Sequence, residues 1–216
     1  MSKALTDNNK AYYEAQQVKY NTLESIEHES WQDMQRGAVN SKDDYHQPVI
    51  ATLHNGLPSV RTVVLRKALP NFKQLIFHTD VRSAKIKDLE ANPNISWLFY
   101  SQRHRVQLRL GGVATILHSG TLVNEAKANI VAQLNTCYMV HPAPGISSEQ
   151  ATTGLPTELT LRKPTTAEIT LSMHNFVMVH TQVQYMEWLW LHHKGHRRAA
   201  FYYNDDSLYK ATWLVP

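Results

Sequence analysis

Two arginines bracket an apolar run in the segment Arg61-Thr62-Val63-Val64-Leu65-Arg66. Side chains alternate along a strand, so Arg61 shares a face with Val63 and Leu65, while Arg66 lies on the other face with Thr62 and Val64. Such a strand suits a flat aromatic ligand with an anionic tail, because guanidinium groups bind phosphate and carboxylate through paired hydrogen bonds. On these residues alone the simpler interpretation is a pair of exposed charges that protects an edge strand from aggregation.

A second group of polar residues occupies the segment His78-Thr79-Asp80-Val81-Arg82-Ser83-Ala84-Lys85. The pattern predicts the end of a strand followed by a helix whose first turn carries Ser83 and Lys85. Free backbone N–H groups, the helix dipole and two cations would together bind a phosphate. An ordinary N-cap at Ser83 with solvated neighbours explains the same residues.

A third group is the basic segment His192-His193-Lys194-Gly195-His196-Arg197-Arg198, which follows an aromatic run. No carboxylate or further histidine stands at a spacing that would complete a metal site, and a single cysteine excludes a thiolate site, so no metal is expected. A solvated basic turn is the default interpretation. A nucleic-acid surface is the alternative, in which bases would stack on Trp188, Trp190, Tyr202 and Tyr203.

The elements that must position these residues are mostly strands. Hydrophobic periodicity and turn signals predict strands at 49–53, 60–65, 74–79, 95–100, 106–117, 175–191, 198–203 and 208–214. Helices are expected over 8–36, closed by Gly37, between Ser83 and Asn92-Pro93, and over 121–135. Asn55-Gly56 predicts a tight hairpin, and Gly111-Gly112 a bulge. This layout predicts an antiparallel, barrel-like sheet rather than βαβ units.

Composition limits the class of protein. The chain has 216 residues, 43% hydrophobic and 19% charged, which is typical of a folded domain. Its single cysteine, Cys137, suits a reducing compartment, and no targeting or membrane-spanning segment is evident, so we expect a soluble cytoplasmic protein. A net charge of +4 suits an anionic partner without demanding nucleic acid. One domain is expected, with a helical extension over 1–47 and the barrel over 48–216.

In this order and spacing, the segments resemble the pyridoxamine 5′-phosphate oxidase family of FMN-binding split β-barrels. The family's R-x-V-x-L-K motif corresponds to residues 61–66, with Arg66 in place of lysine, and its S-R-K motif to Ser83-Ala84-Lys85. The missing arginine of that motif is expected to be compensated by Arg82. Gln107 falls at the family's flavin-contacting glutamine, and residues 148–151 resemble its S-x-Q-S segment.

The resemblance implies an antiparallel split β-barrel with added helices that binds FMN at a homodimer interface. It implies no covalent catalyst and no metal. It implies the cofactor-binding residues Arg61, Thr62, Val63, Val64, Leu65, Arg66, His78, Thr79, Ser83, Lys85, Gln107, Gln150, Trp188 and Arg198.

The implied activity is hydride transfer from a small substrate to FMN, with reoxidation by O₂. Arg66 and His196 are the expected substrate contacts. The family's substrate-phosphate residues have no counterpart among Gln133, Cys137, Tyr138 and His141, so oxidation of pyridoxamine 5′-phosphate is expected to be slow or absent. The alternatives are a flavin-binding module without turnover and a basic nucleic-acid-binding barrel.

Overall fold

The computed structural model describes residues 19–216. Four α-helices lie within this range: α1 (Leu23–Val39), α2 (Ala84–Ala91), α3 (Thr121–Ala132) and α4 (Thr166–Ser172). The strands within it are β1 (Val49–His54), β2 (Leu57–Thr62), β3 (Leu65–Leu69), β4 (Gln74–Asp80), β5 (Asn94–Ser101), β6 (Val106–Leu117), β7 (Phe176–Trp190), β8 (Arg197–Asn204) and β9 (Ser207–Leu214). The part of the predicted first helix before residue 19 lies outside the described residues.

All strand pairs are antiparallel, in the order β2-β1-β5-β6-β7-β4-β3, and β8 and β9 extend from β7. The long strand β7 pairs with β6 along one edge and divides its other edge between β4 and β8. The sheet is therefore barrel-like without closing, and the predicted mainly antiparallel β architecture is confirmed.

The predicted hairpin is present, and Asn55 and Gly56 have φ angles of 51° and 80°. Two positive φ values match the tight turn that agrees with strand twist. The predicted continuous strand from 60 to 65 is wrong, because β2 ends at Thr62 and β3 begins at Leu65. Val63 and Val64 join two strands at opposite ends of the sheet order, so simple alternation does not hold across them.

Helix α1 packs on the sheet and shares its main core. Ile26, Trp31 and Met34 are fully buried in the same cluster as the strand residues. The prediction that Gly37 ends this helix is wrong, since the helix continues to Val39. A Cβ at Gly37 would stand 2.7 Å from the backbone carbon of Tyr45, so the residue is needed for close packing rather than for helix termination.

A smaller core lies between the sheet and helices α3 and α4, around Ile130, Ile169 and Phe176. Helix α4 falls in a region to which the sequence analysis assigns no helix or strand. Its N-terminus is a capping box, in which Thr165 and Glu168 exchange hydrogen bonds. Among residues 19–216, no helix is both long and apolar enough to span a membrane.

Candidate cofactor-binding site

The end of strand β4 and the start of helix α2 bring together two hydroxyl groups and a lysine. The Nζ of Lys85 donates hydrogen bonds to Thr79 Oγ1 at 3.0 Å and to Ser83 Oγ at 3.1 Å. Ser83 occupies the N-cap position of α2, but its hydroxyl donates to the Asp80 carbonyl oxygen and does not cap the helix. The hydroxyls are buried and therefore fix the ammonium group near the free N–H groups of the helix.

Arg61 brings a second cation to this cluster from the edge strand β2. Its Nη1 donates to Thr52 Oγ1 at 2.5 Å, and its Nη2 donates to Ser59 Oγ at 2.6 Å. Nη2 also lies 3.5 Å from the carboxylate of Asp88 on α2. We call Arg61, Thr79, Ser83 and Lys85 the anion site.

The electrostatics of the anion site favour an anion. Burial lowers the pKa of Lys85 below its ordinary value, and the nearby positive charge of Arg61 lowers it further. Two like charges are therefore held together where solvation of each is already reduced. A phosphate dianion would stabilise both, and the hydroxyls and helix N–H groups supply additional donors.

Arg82 does not join this site, so the expected compensation for the missing arginine is wrong. Its Nε and Nη2 donate to the two carboxylate oxygens of Asp80 at 2.9 and 2.6 Å, and Nη2 also donates to the carbonyl oxygen of Val140. The guanidinium group therefore links Asp80, at the end of β4, to Val140 in the long connection that follows α3.

A cavity of about 250 Å³ lies between strands β3 and β4 and helix α3, and we call it the α3 cavity. Arg66 and His78, both predicted site residues, line it. Burial and the charges of Arg66 and Lys67 lower the pKa of His78 to about 4, so its imidazole is neutral at pH 7. The remaining lining residues are Lys67, Leu122, Glu125, Ala126, Asn129, Ile130, Gln133, Asn135, Cys137 and Tyr138.

Gln107 and Arg198 lie together on the sheet face opposite to the core, which we call the outer face. Strand register places Gln107 beside Leu189, and Leu189 beside Arg198. Arg198 Nη2 donates to Glu187 Oε2 at 2.9 Å, and this carboxylate also accepts from Tyr185. Burial alone would raise the pKa of Glu187, but these hydrogen bonds and the arginine charges hold it below its ordinary value.

Trp188 is placed in the core and not beside a ligand surface. Its side chain is 1% exposed, and its ring packs edge-on against Tyr20 at 5.0 Å between centroids. The predicted flavin contact of Trp188 is therefore not part of the site that the structure assembles. Trp190 and Tyr203, which the nucleic-acid alternative also uses, are buried as well, whereas Tyr202 is half-buried.

The other predicted residues are dispersed. Leu65 is fully buried, Val63 and Val64 are half-buried in the connection between β2 and β3, and Thr62 is exposed. Gln150 is exposed in the long connection before α4, and His196 is exposed in the turn before β8.

Three residues that hold Arg61 beside the anion site were not predicted from the sequence: Thr52, Ser59 and Asp88. The hairpin turn at Asn55-Gly56 carries the signal for two of them, because a two-residue turn pairs Thr52 with Ser59. Asp88 gives no comparable signal, since the packing of α2 on β1 determines its contact with Arg61.

Comparison with known proteins supports the resemblance in sequence. Residues 28–118 match the family described as pyridoxamine 5′-phosphate oxidase, FMN-binding domain. This range contains the whole anion site and Gln107, whereas Gln150, Trp188 and Arg198 lie beyond it. A curated pyridoxine/pyridoxamine 5′-phosphate oxidase of Psychrobacter cryohalolentis is 33% identical over 73 residues, which are 34% of this chain and 33% of that protein. The match thus spans about a third of the relative's length.

Solved structures extend the likeness to most of the fold. A pyridoxamine 5′-phosphate oxidase-related, FMN-binding protein from Nostoc punctiforme has a TM-score of 0.65 at 22% identity, covering 87% of this chain and 96% of its own. PhzG from Burkholderia lata, solved with tetrahydrophenazine-1-carboxylic acid, has a TM-score of 0.58 at 17% identity, covering 79% and 82%. The resemblance predicted from the sequence is thereby confirmed: residues 28–118 are similar to the FMN-binding domain of the pyridoxamine 5′-phosphate oxidase family, and the chain shares the fold of the related protein from Nostoc punctiforme.

Proposed function

We propose that the protein binds FMN through the anion site and acts as an FMN-dependent oxidoreductase on a small molecule. The observation that carries this proposal is the placement of Arg61 beside Lys85, where burial and mutual repulsion already lower the pKa of the lysine. A dianion at this point relieves both effects. The donor set fits a phosphate monoester, because it combines two cations, two hydroxyls and the first N–H groups of α2.

When bound, FMN would accept a hydride from a substrate carbon and pass the electrons to an acceptor such as O₂. The role of the chain's own residues would be to bind and orient the flavin and the substrate. Val63 and Val64 offer half-buried apolar surface, while Gln107 and Arg198 offer donors that stabilise negative charge. In this proposal Arg66, in the α3 cavity, holds an anionic part of the substrate.

The first experiment measures FMN and riboflavin affinities by quenching of flavin fluorescence. Riboflavin lacks the phosphate, so the wild-type protein should bind it about ten- to a hundredfold more weakly than FMN. Lys85→Ala should remove most of this preference. Lys87→Ala is the matched control, because Lys87 lies on the same helix and is exposed. Equal wild-type affinities for the two flavins would refute the anion site.

We propose also that the protein is a homodimer joined through the outer face. This face exposes apolar side chains on the two strands that flank β1: Val60 on β2 is 67% exposed, and Leu98 and Tyr100 on β5 are 38% and 47% exposed. A contiguous apolar patch on a sheet is typical of a protein–protein interface. The resemblance adds that Gln150 and Arg198 of the second copy would approach the flavin, and that His196 would contact the substrate.

Sedimentation with and without FMN tests the dimer. If the ligand bridges two copies, dilution should release FMN and produce monomers together. Leu98→Glu should give monomers with weakened FMN binding. Leu171→Glu, at an exposed apolar residue on α4, should do neither. A Leu98→Glu monomer with full flavin affinity would contradict the proposal.

A flavin-binding protein without turnover is the second candidate, and the α3 cavity favours it. The helix side of this cavity presents Glu125, Asn129 and Gln133, none of which is a cation that would bind a substrate phosphate. We therefore expect oxidation of pyridoxamine 5′-phosphate, the reaction named for the Psychrobacter relative, to be slow or absent. Steady-state assays decide this, and turnover at about 1 s⁻¹ or faster would contradict the expectation.

A further inference from the structure

We propose that Asp88 is a positioning residue that holds Arg61 in the orientation in which it meets the flavin phosphate. The inference rests on the proposed function, because it assumes that the anion site binds FMN. Asp88 is absent from the residues that the sequence and the family resemblance assign to the cofactor. Its role follows from the hydrogen bonds around its carboxylate.

Asp88 lies on α2 with its side chain only 3% exposed. Oδ1 lies 2.7 Å from Nδ1 of His54, and Oδ2 accepts from Thr52 Oγ1 at 2.8 Å. Burial alone would raise the pKa of Asp88, but the hydrogen bonds from His54 and Thr52 and the charges of His54 and Arg61 lower it below the ordinary value. The carboxylate is therefore ionised at neutral pH and accepts hydrogen bonds at both oxygens.

This ionised carboxylate orients the hydroxyl of Thr52. The hydroxyl has a single proton, which it donates to Asp88, so that its lone pairs face Arg61 Nη1 at 2.5 Å. An asparagine amide at position 88 could donate to that hydroxyl and compete with the arginine. The negative charge of Asp88 also lies 3.5 Å from Nη2 of Arg61.

Asp88 also opposes the repulsion between the two cations of the anion site. The charge of Arg61 lowers the pKa of Lys85, and the charge of Asp88 raises it. Without Asp88, the guanidinium group would gain by turning toward solvent, away from Lys85. A carboxylate near an anion site also repels the incoming anion, so the proposal requires positioning to outweigh this repulsion.

The test compares Asp88→Asn with Glu90→Gln in the full-length protein. Glu90 is an exposed carboxylate on the same helix, so its substitution removes the same charge without touching Arg61. We expect Asp88→Asn to weaken FMN binding about tenfold and to change riboflavin binding by less than about twofold. Glu90→Gln should change neither affinity by more than about twofold.

A double variant separates positioning from general damage. If Asp88 acts through Arg61, Asp88→Asn should add no further loss of FMN affinity in an Arg61→Ala background. Tighter FMN binding in Asp88→Asn, an equal loss for riboflavin, or a full additional loss in the double variant would overturn the proposal. If Asp88→Asn does not fold, Thr52→Val removes the same connection and should weaken FMN selectively.

The two proposals fail differently. Equal binding of FMN and riboflavin by the wild-type protein would refute the anion site itself. A wild-type preference for FMN that Arg61→Ala abolishes but Asp88→Asn and Thr52→Val leave intact would refute only the role of Asp88.

Discussion

The neutral imidazole of His78 makes the stability of the protein depend on pH in a calculable way. Burial, together with the charges of Arg66 and Lys67, lowers the pKa of His78 from 6.5 to about 4. The unfolded chain therefore binds a proton at this residue between pH 6.5 and pH 4, while the native protein does not. The contribution of His78 to stability is complete above pH 6.5 and is lost as the pH falls toward 4.

Proton linkage gives the size of this effect. Between pH 7 and pH 5, the two pKa values correspond to a loss of about 2 kcal/mol in the free energy of unfolding. Solvent near the partly buried ring reduces the shift, so we expect a loss of about 1–2 kcal/mol. His78→Gln removes the titrating group and should remove this part of the pH dependence.

Urea unfolding followed by tryptophan fluorescence at pH 7, 6 and 5 measures the effect. The control is His118→Gln, which replaces a histidine at an exposed position. The informative quantity is the difference between the wild-type protein and His78→Gln at each pH, because every other titratable residue is present in both proteins. A difference that stays constant from pH 7 to pH 5 would refute the burial argument for His78.

Three further predictions concern other parts of the molecule. Gly112→Ala should lower the free energy of unfolding by more than about 2 kcal/mol, because the new Cβ would collide with a carbonyl oxygen of β7. Gly111→Ala is the control: a Cβ at Gly111 meets open space, so this variant should change the free energy of unfolding by under about 1 kcal/mol. Urea unfolding of the two variants tests this difference. FMN affinity should fall as the pH rises through the lowered pKa of Lys85, and Lys85→Arg, which stays charged, should abolish this fall in a fluorescence titration. Glu187→Gln should destabilise the protein by about 1–2 kcal/mol in the same urea assay, since it leaves Arg198 without its buried counter-charge, and an unchanged midpoint would contradict this.

Much of the fold is visible in the sequence because its signals are local. The strand at Val106–Leu117 and its bulge follow from alternation and from two adjacent glycines. The Asn55-Gly56 turn predicts the hairpin and its register, including the pairing of Thr52 with Ser59. Thr79, Ser83 and Lys85 of the anion site likewise lie close together along the chain, so they could be grouped before the fold was known.

Other features depend on which elements pack together, and short-range patterns carry no information about that. Arg82 lies next to Ser83 in sequence, yet its guanidinium group pairs with Asp80 and the Val140 carbonyl instead of entering the anion site. Trp188 has an aromatic ring of the kind that stacks on ligands, but this ring is buried and packs against Tyr20.

The sequence by itself determined the strand order along the chain, the hairpin register and the two cations that mark the anion site. Tertiary structure decided how those cations are held. Asp88 meets Arg61 only because α2 packs against β1, which brings together residues that lie far apart in sequence. The hydrogen-bond donors to a buried carboxylate are the side chains that packing brings next to it, and these side chains can lie far away in the sequence.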